Sequence, residues 1–246
     1  MIPKIIHYCW FGNNPLPHLV KKCIKSWIKF CPDYQIIEWN ESNYNVNSIT
    51  YTQQAYKEKK YAFVSDYARF DILYNYGGIY LDTDVELVKS LDDLLNNKSF
   101  MGFESDDAVA PGLIIGSEKN SNIIREIKDN YLSKLFYYPD GTTNLTTVVR
   151  YTTDILITHG LILNGEFQCL EGIVIYPKNF FNPTDIKFGK YVINKNTYSI
   201  HHFSGSWLTI REQKKRKRVI LVQTLIGTNN YLKLSKIKQK LFGRKK

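Results

Sequence analysis

The run Lys4-Ile5-Ile6-His7-Tyr8-Cys9-Trp10-Phe11, closed by Gly12-Asn13-Asn14, is nearly continuous in apolar and aromatic residues. A strand of that kind is buried on both faces, which confines it to the interior of a covered sheet. Pro15 and Pro17 then open a segment with Leu16, Val20, Cys23, Ile24, Trp27 and Phe30 at three- and four-residue spacing, the mark of an amphipathic helix. Pro32-Asp33 stops it, and Gln35–Trp39 reads as a second strand. A strand, a helix and a strand in that order imply a parallel sheet with a right-handed crossover.

The alternation continues. Helices are expected over 52–60, 65–76, 91–96, 120–135 and 145–159, and strands over 79–85, 100–103, 113–115, 173–176 and 198–203. The longest loop is expected over 177–195. With 43% hydrophobic residues in 246, the chain can bury a sizeable core. The formal charge of +10 is uneven: 209–246 hold 13 basic residues and one acid, leaving 1–208 with 20 basic and 22 acidic. The expected organisation is one α/β domain over 1–208 and a basic amphipathic tail over 209–246. Cys9, Cys23, Cys31 and Cys169 lack the spacing of a zinc site and read as structural thiols suited to a reducing compartment. Met1-Ile2-Pro3-Lys4 does not read as the start of a secretory signal peptide, so none is expected, and no run approaches the length of a membrane span. The expected location is the cytoplasm, peripheral to the inner face of its membrane.

Asp82 and Asp84 carry the most chemistry. At the end of an apolar strand, positions i and i+2 face the same side. That end is where open α/β sheets bind ligands. Two neighbouring carboxylates repel unless a cation joins them, and oxygen ligands suit Mg²⁺ or Mn²⁺. Asp is also simply a good turn former, so the pair alone is a weak signal. Its context strengthens it: Asp66 and Arg69 share a helix face at i and i+3, and only Gly77-Gly78 separates that helix from the strand. Asp66, Arg69, Tyr80, Asp82 and Asp84 are therefore expected to meet.

The run Ser65-Asp66-Tyr67-Ala68-Arg69 and the run Tyr76-Gly77-Gly78-Ile79-Tyr80-Leu81-Asp82-Thr83-Asp84 resemble the DXD sugar-binding glycosyltransferases of family 32. So do the opening Ile2–Gly12 and the closing His201-His202-Phe203-Ser204-Gly205-Ser206-Trp207. The resemblance implies a GT-A fold, a Mn²⁺ or Mg²⁺ cofactor and retaining transfer from a UDP- or GDP-sugar. It also implies a glycan or lipid-linked glycan acceptor, as in capsule or cell-surface polysaccharide synthesis. Residue by residue, Trp10 would stack on the base and Tyr80 would flank the ribose. Asp66 and Arg69 would hold the donor sugar, with Ser206 and Trp207 as further donor contacts. Asp82 and Asp84 would bind the metal, and His202 is the candidate third ligand. His201 and His202 face opposite ways on a strand, so only one of them readily reaches the site.

Two other readings compete. Leu81-Asp82-Thr83-Asp84-Val85 also fits the nucleophile motif of haloacid-dehalogenase-like phosphatases, which needs it on the first strand. Lys214–Arg218 and the 233–246 run suggest nucleic-acid binding, but no recognised module accompanies them, so no specific nucleic acid is expected. The apolar residues among the tail's lysines favour an anionic membrane surface instead.

Overall fold

The N-terminal run forms the strand expected of it, β1 (Ile5–Cys9), followed by α1 (His18–Phe30) and β2 (Gln35–Trp39). This computed structural model describes residues 1–185 and 190–205. The tail, with Ser206 and Trp207, lies outside the described residues. After β2 come α2 (Thr50–Lys57), α3 (Tyr61–Tyr76), β3 (Gly78–Tyr80) and β4 (Val85–Leu87). The chain goes on through β5 (Ser99–Ser105), β6 (Ala108–Val109), β7 (Ile115–Ser117), α4 (Asn122–Asp129) and α5 (Val148–Thr158). It closes with β8 (Gln168–Leu170), β9 (Ile173–Tyr176), β10 (Thr184–Asp185), β11 (Lys190–Tyr191) and β12 (Ser199–His201). The helix expected over 91–96 is a single 3-10 turn, Asp92–Leu94, and the 177–195 loop contains the short β10–β11 ladder.

The main sheet runs β2-β1-β3-β7-β5-β9-β8, with β6 paired on β5. β1 is parallel to β2 and β3, and β5 is parallel to β9. β7 runs against both β3 and β5, and β8 against β9. This is a mixed, mostly parallel α/β sheet of the GT-A type. Two apolar clusters cover its faces, and β1 divides its side chains between them by strand alternation. Ile6 and Tyr8 pack with Trp27, Ile79 and Leu94, whereas Cys9 packs with Tyr67, Phe70 and Tyr80. Cys9, Cys23 and Cys31 are buried free thiols, and Cys169 is exposed.

The strand expected over 79–85 is broken. Leu81 N–H still bonds to His7 O on β1 at 3.1 Å, but Asp82 O then accepts Val85 N–H at 3.0 Å and closes a turn. Trp27 Nε1 donates to Val85 O at 2.8 Å and helps to hold the resumed strand over α1. β4 therefore leaves the main sheet and pairs antiparallel with β12. The Asp-x-Asp segment lies in a turn between two sheets, with freedom that a strand would not allow.

The preceding turn is set by His7. Gly77 and Gly78 both have positive φ (67° and 102°), and a Cβ on Gly78 would press on Ile5 O and the His7 ring. His7 is fully buried; its Nδ1 accepts from Trp39 Nε1 at 3.1 Å, which leaves the proton on Nε2, 2.8 Å from Gly77 O. Burial lowers its pKa to about 4, partly opposed by the Gly77 bond. As pH falls, the unfolded chain takes up this proton near its ordinary 6.5 and the folded chain only near 4. The stabilisation is thus complete above pH 6.5 and lost between there and 4, at a cost on the order of 3 kcal/mol. Urea unfolding at pH 7 and pH 4.5 should show a loss of stability that is smaller by roughly 2–3 kcal/mol in His7→Phe. Equal losses in both proteins would contradict this account.

Candidate active site

α3 enters the site with Asp66 and Arg69 on one face. Arg69 Nε donates to Ser65 O at 3.0 Å, and Nη2 lies 2.9 Å from Asp66 Oδ1 and 3.3 Å from Asp82 Oδ1. Its guanidinium sits over the Tyr80 ring, 4.9 Å from the centroid. Arg69 is only 3% exposed, and Nη1 has no hydrogen-bond partner among the described residues. A buried guanidinium donor without an acceptor is costly. The unpaired donor is suited to a negatively charged or hydroxyl-bearing group.

Asp84 lies close to Asp82, at the end of β12. In the β4–β12 register His201 lies opposite Val85, and His202 N–H continues the ladder to Asp84 O at 3.0 Å. His201 Nε2 is 3.0 Å from Asp84 Oδ1. Phe203 then takes a left-handed φ of 48°, an uncommon conformation for a bulky residue, and Ser204 N–H reaches back to Asp84 Oδ2 at 2.7 Å. Both carboxylate oxygens of Asp84 are therefore held.

The three carboxyls are tuned apart. Burial raises Asp66 to about 7, with Arg69 opposing it. Burial also raises Asp82, again against Arg69. For Asp84 burial is the largest influence and acts upward, but His201 and Ser204 together outweigh it and hold the carboxyl below its ordinary range. Asp84 is the firmly ionised member.

One ligand atom each from Asp82, Asp84 and His201 lies within 4.8 Å of the others, and His201 Nδ1 is buried without a partner among the described residues. Two carboxylates and an imidazole form a donor set that suits a divalent cation. The residues present fit such an ion.

Several expected roles move. His202 is turned to Glu86, with Nε2 to Oε2 at 2.8 Å, in a cluster that Lys22 and Tyr191 complete. Strand alternation allows one histidine toward Asp84, and the β4 register selects His201. Tyr80 is 1% exposed beneath Arg69, so it is a platform for the guanidinium rather than a wall for a ribose. Trp10 is half-buried just past β1, its Nε1 donating to Asn14 O at 2.6 Å. Trp27 and Trp39 are core residues as expected. Asp82 and Asp84 follow the third strand, not the first as the phosphatase reading requires. Two contributors escaped the sequence reading: the Ser204 backbone N–H and Gly112, where a Cβ would collide with Asp82 Oδ2.

Residues 17–101, spanning α1 to the start of β5, match the model of a glycosyltransferase sugar-binding region containing a DXD motif. That stretch, about a third of the chain, is similar to this DXD-containing glycosyltransferase family. An uncharacterised glycosyltransferase of Acanthamoeba polyphaga mimivirus is 29% identical over 220 residues, 84% of each chain. Inositol phosphoceramide mannosyltransferase 3 of Schizosaccharomyces pombe is 30% identical over 145 residues, 56% of this chain and 39% of that protein. The chain thus spans about two fifths of the length of that relative. The solved structure of the PaToxG glycosyltransferase is alike in fold, with a TM-score of 0.52 at 21% identity over 64% of this chain and 69% of that one.

The site geometry separates the two histidines. Mn²⁺ titration by calorimetry should show affinity falling roughly 10-fold or more in Asp84→Asn and His201→Ala. In His202→Ala it should stay within about threefold of the parent. A larger loss in His202→Ala than in His201→Ala would reverse the assignment.

Proposed function

We propose that the protein transfers a sugar from a UDP- or GDP-sugar to a glycan acceptor, with retention at the anomeric carbon, in building a cell-surface polysaccharide. The observation that carries this is the buried Arg69 with its free Nη1 beside Asp82, one turn of chain from the Asp84–His201 pair. Asp82, Asp84 and His201 would hold Mn²⁺ or Mg²⁺. A cation there supplies Lewis-acid stabilisation to a departing diphosphate. Arg69 Nη1 donates to a phosphate or sugar oxygen and holds it in a dry environment, where such a bond is strongest. Asp66, whose carboxyl is raised to about 7 by burial, can donate to or accept from a sugar hydroxyl and so orient the ring.

No carboxylate is assigned as a general base or nucleophile. In the proposed step the acceptor oxygen bonds to the anomeric carbon as the bond from that carbon to the diphosphate oxygen breaks. Attack comes from the leaving-group face, and the departing phosphate oxygen takes the acceptor's proton. The S. pombe relative is named for mannosyl transfer to inositol phosphoceramide. By analogy a lipid-linked acceptor is included here. Residues 209–246 are proposed to hold the enzyme on anionic lipid at the inner face of the membrane. Deleting 209–246 should abolish co-sedimentation with anionic vesicles, and unchanged sedimentation would remove this part of the proposal.

Hydrolysis of UDP- and GDP-sugars with Mn²⁺ tests the reaction class. At least one donor should turn over, and Asp84→Ala should be slower by about 10²-fold or more. Equal turnover by both proteins would contradict the proposed metal role, and release of phosphate from simple phosphomonoesters would favour a phosphatase.

A further inference from the structure

α3 carries a second group of polar side chains on the face turned away from Asp66. Asp71 and Asn75 follow Asp66 by five and nine residues, which places them about 140° and about 180° around the helix from it. Asn75 is also about 13 Å further along the axis. With Tyr76 of the same helix, and Trp39, Asn43 and Asn45 from the end of β2 and the loop after it, they line a pocket of about 150 Å³.

The fold holds the polar groups of this pocket in place. Asp71 Oδ2 accepts from Tyr44 OH at 3.1 Å, and Asn75 Nδ2 donates to Asp71 Oδ1 at 3.1 Å and to Asp71 O at 2.9 Å. Those bonds fix the Asn75 amide and leave its Oδ1 as an acceptor. Asn45 Oδ1 accepts from Asn47 N–H at 3.1 Å, which leaves its Nδ2 as a donor. Asn43 is committed on both sides, to Asn40 N–H and to Glu38 O. The Tyr76 ring is 51% exposed and propped on Trp39, with ring centroids 5.1 Å apart.

This chemistry selects a class of ligand. Asp71 is the one charge in the lining, with no Lys or Arg among the described lining residues to offset it, so a phosphate or carboxylate is repelled. Both Asp71 oxygens already accept from protein donors, so a hard cation, which needs several free oxygens, is poorly served. A wholly apolar ligand would strip water from the amides and return nothing. A sugar ring meets every element, because its hydroxyls both donate and accept and its C–H face stacks on an aromatic ring. The volume suits one ring rather than a larger molecule.

We propose that this pocket is a second saccharide site, separate from the Asp82–Asp84 site, and that it binds one neutral sugar residue. The C–H face of the sugar lies on Tyr76, and its hydroxyls pair with Asn75 Oδ1, Asn45 Nδ2 and the Asp71 carboxylate. The inference goes beyond the proposed reaction and needs none of its steps. For an enzyme that elongates a glycan, a residue held here keeps that glycan at a high effective concentration.

Saturation-transfer NMR and amide-shift titration of the full chain with methyl glycosides of glucose, galactose, mannose and N-acetylglucosamine test this. At least one glycoside should bind saturably, and its affinity should fall by about 10-fold or more in Tyr76→Ala and in Asn75→Leu. Both residues are exposed, and thermal melting of each variant checks that it is folded. Tyr76→Phe keeps the ring and should stay within about threefold of the parent, as should Asp84→Asn, which alters only the proposed cation site. Three results would overturn the inference: no saturable binding of any of these glycosides, affinity unchanged in both Tyr76→Ala and Asn75→Leu, or affinity lost in Asp84→Asn. The last would put the bound sugar in the Asp82–Asp84 site instead.

Discussion

A buried guanidinium organises this protein's site. Arg69 is removed from water with two carboxylates and an aromatic face around it, and desolvating a charge is repaid only when its donors are used. Asp66 from the same helix accepts a hydrogen bond from it and Asp82 from the turn after β3 is ion-paired with it, so it fastens α3 to the Asp-x-Asp segment. The same helix ends at the Gly77-Gly78 turn, which His7 clamps from β1. One strand, one helix and one turn are thereby fixed relative to one another, while the remaining donor on Arg69 has no partner among the described residues.

The second half of the site comes from far along the chain. Asp84 and His201 are 117 residues apart, and only the pairing of β4 with β12 brings them together. That pairing exists because the chain turns at Asp82–Val85 and leaves the main sheet. The break expected least from the local pattern is thus what allows Asp82 to face Arg69 while Asp84 faces His201. The opposed pKa directions of Asp82 and Asp84 follow from the different neighbours each meets.

What could be read in the residues divides along the same line. Periodicity was enough for β1, α1 and β2, because each signal is local and strong. The i, i+3 spacing likewise put Asp66 and Arg69 on one face, as found. The alternation of a strand showed that one of His201 and His202 must turn away, and the structure brings His201, rather than the expected His202, to Asp84. The register against β4 decides it, and that depends on contacts more than a hundred residues distant. Tyr80 was expected at a ribose because nothing local shows that Arg69 covers it. Gly112 and the Ser204 N–H act through position alone and have no side-chain signature. The tail and Ser206–Trp207 lie outside the described residues, so their expected roles stand as proposals.

The central claim is that Arg69 and the Asp82–Asp84–His201 cluster form one site for a cation and a diphosphate. Anomalous diffraction from crystals grown with Mn²⁺ and a nucleoside diphosphate tests it most directly. The account predicts one manganese peak in contact with Asp82, Asp84 and His201, with Arg69 Nη1 hydrogen-bonded to a diphosphate oxygen beside it. A manganese peak at Glu86 and His202, or a diphosphate bound away from Arg69, would contradict it.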